Sequence, residues 1–471
     1  MKRHPSPSRT RCIVPFLIAV CVATAFSNPT RAQLSPPNII IMMADDLGWG
    51  DVGYHGSKIA TPNIDRLAKM GVRLNQFYVQ PVCSPTRAAL MTGRYPIRHG
   101  LQCGVVRPWA QYGLPLQERT LADELKAMGY RTAIIGKWHL GHHKPDYLPT
   151  QRGFDMQYGH YNGALDYFTH DRDGGHDWHK DGKRNDDEGY ATNLLAKEAV
   201  RIIKEHPNNR ALFLYVPFNA PHTPLQAPKM YLDKAADFKV KDRQTYAAMV
   251  MCMDDAIGDI IDAVEAAPWY EDGANTLIFF CSDNGGIPRL GSNGDLRAGK
   301  GTLYEGGVRV PAVMVWKKQL KAGTEVNEPM HIVDLYPTLS KRTGMGPSKF
   351  LPLDGKDVWP TIRDGKPSPH DFILHNVTPF AGALRMGDFK IVHNGGHSAN
   401  ATSKPAKETW ELFNIKDDPS EKNDVKEKYP EEFKKLKAKL ESLAEEALKP
   451  NIPPNRKPDD FKVPRVWGEA E

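Results

Sequence analysis

Asn38-Ile39-Ile40-Ile41-Met42-Met43-Ala44-Asp45-Asp46 is a continuous apolar run that ends on two carboxylates. An apolar run without alternation is what a strand buried on both faces requires, so it predicts a parallel sheet covered by helices. The stretches that follow keep a strand-then-helix rhythm. Thr61-Pro62 opens a helix that Gly71 closes, and Thr120 caps another that carries Leu121, Leu125 and Met128 on one face, with Gly129 beyond its end. Arg131 to Ile135, Leu212 to Val216, Thr276 to Ser282 and Ala312 to Trp316 repeat the apolar strand pattern. Between the second and third of these, Tyr246, Val250, Met253, Ile257, Ile261 and Val264 have the spacing of a long amphipathic helix. The expected fold class is α/β: a large, mostly parallel β-sheet sandwiched by helices over residues 36–338.

Beyond about Thr338 the rhythm changes. Phe372 to Leu374, Ala383 to Met386, Phe389 to Val392 and Trp410 to Phe413 read as short antiparallel strands, the middle two joined as a hairpin across Gly387-Asp388. Phe433, Leu436, Leu440 and Leu443 then stripe a final helix. Residues 339–471 are therefore expected to form a smaller C-terminal α+β domain, an antiparallel sheet plus one helix.

The first 32 residues differ in kind. Lys2, Arg3, Arg9 and Arg11 precede an apolar stretch from Ile13 to Phe26, with small residues at Ala23-Thr24-Ala25 and Ala32. That is the pattern of a signal peptide, too short to span a bilayer, so an exported protein, periplasmic or secreted, with no stable membrane span is expected. The leader also distorts the charge. It holds five Lys or Arg and no Asp or Glu, and subtracting five from the formal +6 leaves +1. The mature chain lacks the dense basic footprint of a nucleic-acid binder. It keeps Cys83, Cys103, Cys252 and Cys281, too few for a disulfide scaffold, and the last two sit in helix and strand patterns as core thiols.

Polar groups follow the strands. Asp45-Asp46 end the first, Lys137 and His139 follow the second, His222 the third, and Asp283-Asn284 the fourth. Ligands bind at the carboxyl edge of open parallel sheets, so four strand exits can bring these groups to one site. Asp45, Asp46, Asp283 and Asn284 supply hard oxygens that suit Ca²⁺ better than zinc. His142-His143 lack a zinc spacing and are expected at the surface, and Asp254-Asp255 fall inside a helical pattern without an assigned role. His222, between Pro221 and Pro224, is expected on extended backbone, with its ring directed into a cleft.

One further stretch carries chemistry. In Cys83-Ser84-Pro85-Thr86-Arg87 the proline fits the first turn of a helix that runs to about Thr92, with Gly93 as its stop. Cys83 then lies at a helix N-terminus, where free N–H groups and the dipole favour an anion.

With Asp45 to Asp51, Thr92-Gly93-Arg94, Gly136-Lys137-Trp138-His139-Leu140-Gly141, Ser282 to Gly286 and Lys300 before Glu305-Gly306-Gly307, this stretch resembles, in family order, the motifs of type I sulfatases. These are formylglycine-dependent members of the alkaline-phosphatase-like superfamily, and the pattern is most similar to arylsulfatase B-like enzymes over about Pro37 to Val466. The resemblance implies that Cys83 is oxidised to formylglycine by a formylglycine-generating enzyme and that its hydrate attacks sulfur. Asp45, Asp46, Asp283 and Asn284, with the modified Cys83, would hold Ca²⁺. Arg87, Lys137, His222 and Lys300 would bind the sulfate, and Asp283 would serve as the base that activates the hydrate. His222 and Lys300 would protonate or stabilise the leaving alcohol. His139, oriented by Lys137, would take the proton whose loss expels sulfate.

A sulfated poly- or oligosaccharide is the expected substrate, with Trp109, Tyr161, Tyr167 and Trp178 as stacking faces. Gly299-Lys300-Gly301 replaces bulkier residues of the relatives, which implies a smaller pocket wall. The rival expectations are a non-catalytic sulfated-glycan binding protein and a phosphate or phosphonate ester hydrolase on the same fold.

Overall fold

The apolar runs pair into one large sheet. The structure, a computed structural model, describes residues 1–5, 36–344, 351–396, 405–452, 454 and 456–469. The leader expected over 1–32 lies outside the described residues from position 6 onward. Its main strands are β1 (Asn38–Ala44), β2 (Val72–Leu74), β3 (Arg131–Lys137), β4 (Met156–His160), β5 (His179–Lys180), β6 (Lys183–Arg184), β7 (Leu212–Pro217), β8 (Thr276–Ser282), β9 (Ala312–Val315) and β10 (Thr324–Val326). They lie side by side in the order β10-β2-β9-β8-β1-β7-β3-β4-β5-β6. The central block from β8 to β4 is parallel, and β9 and β5 run antiparallel at its two sides.

Strand β1 shows why helices cover both faces. Ile39, Ile41 and Met43 enter one core, and Ile40, Met42 and Ala44 enter the other. Helices α1 (Pro62–Met70), α4 (Ala191–Lys204) and α5 (Lys241–Glu265) pack on the second face; α2 (Cys83–Thr92), α3 (Leu121–Ala127) and α6 (Leu335–Arg342) pack on the first. The caps follow the local chemistry. Thr120 accepts from Asp123 N in a capping box, and α2 stops at Gly93, whose φ of 65° is left-handed. Thr61 makes no side-chain cap; the start of α1 is capped instead by buried Asp254 of α5, which accepts from Asn63 N and Ile64 N at 3.0 and 2.8 Å.

The second sheet is a meander of β11 (Ile373–Thr378), β12 (Ala381–Met386), β13 (Phe389–His393) and β14 (Trp410–Asn414), all antiparallel. Helix α7 (Pro430–Glu445) lays Leu436, Leu440 and Leu443 on it. These leucines join Leu384, Ile391 and Leu412 in the apolar cluster that also covers one face of the large sheet. Pro36–Glu471 accordingly forms one compact unit, and the change of rhythm near Thr338 falls within α6. Cys252 and Cys281 are buried thiols, as their patterns imply. Among the described residues no helix is long and apolar enough to cross a membrane.

Candidate active site

Strands β8, β1, β7 and β3 are direct neighbours, so their carboxyl ends span about 15 Å at the usual strand spacing. Asp283-Asn284, Asp45-Asp46, His222 and Lys137 with His139 leave those ends in that order. Helix α2 brings Cys83 and Arg87 in from the first face; all ten of its residues are buried, and no side chain caps its N-terminus.

The charged groups interlock. Lys137 Nζ donates to Asp45 Oδ2 at 2.5 Å, and the Cys83 thiol faces Asp45 Oδ1 at 3.5 Å. Arg87, 1% exposed, donates from Nε and Nη2 to Asp283 Oδ2 at 3.2 and 2.8 Å and from Nη1 to the Lys137 carbonyl at 3.1 Å. Asp46 N donates to Asp283 Oδ1 at 3.2 Å. The Asp46 carboxylate receives Asn284 Nδ2 at 2.8 Å and Lys300 Nζ at 2.6 and 2.7 Å, and lies 3.7 Å from His222 Nε2. Three carboxylates thus meet three permanent cations, in a setting where His222 and Lys300 are only partly covered. Asp46 and His139 both have positive φ, 69° and 59°, a conformation that costs a non-glycine residue about 1–3 kcal/mol and is held here by the surrounding bonds.

Burial alone would raise the Asp46 carboxyl, but Lys300 and His222 outweigh it and hold the group down at about 2. Burial, with Asp45 beside it, pushes Asp283 up to about 6 against the pull of Arg87 and Lys137. Burial also pushes the Cys83 thiol well up, against Lys137 and Lys300. His222 is lowered to about 3 by burial and then Lys300, and His139 is held neutral by burial, Lys137 and Arg87.

The two histidines present opposite nitrogens. A carbonyl only accepts, so His222 carries its proton on Nδ1, 2.7 Å from the Thr223 oxygen, and turns Nε2 to Asp46. His139 donates from Nε2 to the Val106 carbonyl at 3.0 Å, which leaves Nδ1 buried and unpartnered.

Hard oxygen donors converge as a cation site requires. The Asn284 Oδ1 oxygen is buried with no hydrogen-bond donor, and Asp45, Asp46, Cys83 and His222 bring ligand atoms within 4.8 Å of one another. The oxygens of Asp45, Asp46 and Asn284 fit Ca²⁺, whereas a thiol sulfur and an imidazole nitrogen are not ligands it prefers.

Several expectations need correction. Lys137 does not orient His139: its amine is committed to Asp45, and the His139 ring is set by Val106 while Ser84 Oγ donates to the His139 carbonyl at 2.9 Å and accepts from Val106 N at 3.0 Å. The backbone at His222 is a turn, not extended, since its N–H donates to the Asn219 carbonyl. Tyr161, Tyr167 and Trp178 are buried and cannot stack on a sugar; Tyr167 instead donates from its hydroxyl to the Asn219 and His222 carbonyls and fixes that turn. Trp109 is half-buried, with its indole N–H on the Pro454 carbonyl. His142 is not at the surface: it is buried, with Nε2 3.1 Å from the Pro108 carbonyl oxygen. Gly299 does not widen a pocket, because a Cβ there would sit 2.3 Å from the Gly286 carbonyl, inside the protein, and Gly301 has a φ of 81°. Ser84 and Val106 were not legible as site residues, the first being a variable position of the motif and the second acting through its main chain.

A site of three carboxylates and three cations at the carboxyl edge of an α/β sheet can hold an anionic ester. Comparison with known proteins makes this specific. The pattern of the family described as Sulfatase matches residues 37–345. Arylsulfatase J of Mus musculus is 37% identical over 489 residues, covering 93% of this chain and 81% of the relative. N-acetylgalactosamine-6-sulfatase of Mus musculus is 34% identical, covering 75% and 71%. The crystal structure of Ps i-CgsB in complex with k-i-k-neocarrahexaose superposes with a TM-score of 0.81 at 35% identity, covering 88% of this chain and 94% of that one. The chain belongs to the sulfatase family, the type I sulfatases of the alkaline-phosphatase-like superfamily, and is a sulfuric ester hydrolase.

One glycine tests the placement of His139. A Cβ on Gly163 would lie 2.4 Å from His139 Cε1, and the ring cannot retreat without losing Val106. Gly163→Ala is expected to lower kcat by about ten- to a hundredfold. Steady-state sulfate release checks it: an equal further loss from Gly163→Ala in a His139→Ala background would place the effect elsewhere.

Proposed function

We propose that the protein is an exported, calcium-dependent sulfatase that hydrolyses sulfate esters of a sulfated poly- or oligosaccharide, with a nucleophile derived from Cys83. The observation that carries this reading is the position of Cys83, at the uncapped head of α2, against Asp45, among three carboxylates and three cations. Its raised thiol supports the reading further, because an unmodified cysteine would offer little thiolate here. The names of the relatives and the sugar bound to Ps i-CgsB support a sulfated glycan as substrate.

Asp45, Asp46, Asp283 and Asn284, with the modified Cys83, would hold Ca²⁺, which supplies Lewis-acid neutralisation of sulfate oxygens. Formylglycine at position 83 would supply, as its hydrate, one hydroxyl for attack on sulfur and a second for release. Arg87, Lys137 and Lys300 bind the sulfate oxygens as fixed cations, so charge that develops in the transition state meets donors already in place. Asp283 accepts the proton of the attacking hydroxyl. Lys300 would give the leaving oxygen its proton, and His222, whose Nε2 carries no proton, would accept a hydrogen bond from the alcohol so formed. His139, with Nδ1 free, takes the final proton.

Mass spectrometry of the Cys83 peptide, from protein made with a formylglycine-generating enzyme as partner, is expected to show the aldehyde or its hydrate, together with sulfate release from an aryl sulfate. Thiol alone and no release would establish the non-catalytic glycan-binding alternative. Release confined to phosphate or phosphonate esters would establish the other.

A further inference from the structure

The segment that carries Lys300 is held by a second group of buried charges outside the site. Between β8 and β9 the chain is tied to the site loops by Lys300 N on the Gly286 carbonyl (3.1 Å), Gly301 N on the Pro81 carbonyl (2.8 Å) and Gly285 N on the Gly307 carbonyl (3.0 Å). On its other side it meets the four-stranded sheet. Glu305, fully buried, accepts from Lys390 Nζ of β13 at 2.9 Å and from the Tyr78 hydroxyl at 2.8 Å, while its N–H donates to Glu421 Oε2 at 2.6 Å. Lys390 Nζ also lies 2.9 Å from Glu421 Oε1. Leu303 N donates to the Gly395 carbonyl, just beyond β13, at 3.1 Å. Glu421 takes a left-handed φ of 52°, so its buried side chain is held inward at a conformational cost.

A buried ion cluster of this kind adds little to stability compared with apolar residues of similar size; what it supplies is a defined position for the segments it joins. Lys390 and Glu421 clamp Glu305 at both its side chain and its main chain, five residues from Lys300. We infer that Lys390 and Glu421 are positioning residues for Lys300, acting through Glu305, so that the C-terminal sheet is part of the catalytic apparatus. This rests on the proposed role of Lys300 at the sulfate and leaving group.

The test is a Lys390→Met/Glu421→Gln variant of the whole chain, in which both charges go together and glutamine keeps an acceptor for Glu305 N–H. Hydrogen exchange of the 299–303 amides is expected to quicken by about tenfold or more, with amides of β1 and α2 unchanged. kcat for a nitroaryl sulfate is expected to fall by about tenfold or more, with no further fall in a Lys300→Ala background. Parent-like exchange at 299–303 overturns the inference whatever the activity, and so does an equal loss in the Lys300→Ala background. A parent that releases no sulfate while the exchange changes as expected counts instead against the proposed role of the site.

Discussion

Cys83→Ala is expected to abolish sulfate release, with kcat lowered by about 10⁴-fold or more, because the side chain from which the nucleophile is made is gone. The loss should be purely chemical. Cys83 is 2% exposed, and its sulfur lies 3.5 Å from Asp45, while Asp45 keeps Lys137 at 2.5 Å. Removing one buried atom from the head of a helix costs about 1 kcal/mol. The helix itself is secured elsewhere, by Thr86 clamping Gln80 N and by the stop at Gly93. Sulfate release and thermal unfolding measured on the same preparation separate the two effects. A variant that keeps more than a tenth of parental activity while folded would rule out Cys83 as the origin of the nucleophile.

Arg87→Met should damage both stability and activity. The buried guanidinium makes three hydrogen bonds, two to Asp283 and one to the Lys137 carbonyl. Without it the Asp283 carboxylate keeps only the Asp46 N–H among these bonds, and breaking a buried pair in this way costs about 3–5 kcal/mol. The sign of the pH dependence follows. Burial and Asp45 already raise Asp283 to about 6, above its ordinary value, and loss of Arg87 raises it further. A carboxyl that binds its proton more tightly in the folded state weakens the fold as pH rises through that folded value, so the variant should be hurt less at pH 5.5 than at pH 8. Urea unfolding at the two pH values, in a chelating buffer, measures this; an equal loss at both would show that the damage is not the stranded carboxylate. Activity should fall by about 10²–10³-fold, the usual effect of removing one fixed donor to a developing oxyanion.

Much of the fold was legible because local pattern records burial. The run from Asn38 to Met43 is buried on both faces, and Thr120, Pro85 and Gly93 mark the helix ends they were assigned. The site was legible for a related reason: a polar residue that ends a buried strand has one place to go. The misassignments share a cause. Tyr161, Tyr167, Trp178 and His142 lie where strands are only two residues long or absent, so no periodicity distinguishes a side chain packed inward from one facing a ligand. Strand β4, with Gln157 and Gly159 in its middle, lacks an apolar run and becomes a strand by pairing with β3. The Val106 carbonyl, which sets His139, has no residue identity to read.

The amino-acid sequence by itself determined which elements alternate, where each ends, and which carboxylates, imidazoles and cations stand at the strand exits. Only the tertiary structure decided that β8, β1, β7 and β3 are neighbours, that Lys137 serves Asp45 and not His139, and that Lys390 and Glu421 reach Glu305 across more than 80 positions of chain. The reason is physical: propensity and periodicity act over a few residues, whereas strand order and the pairing of buried charges are settled by which distant surfaces exclude water together.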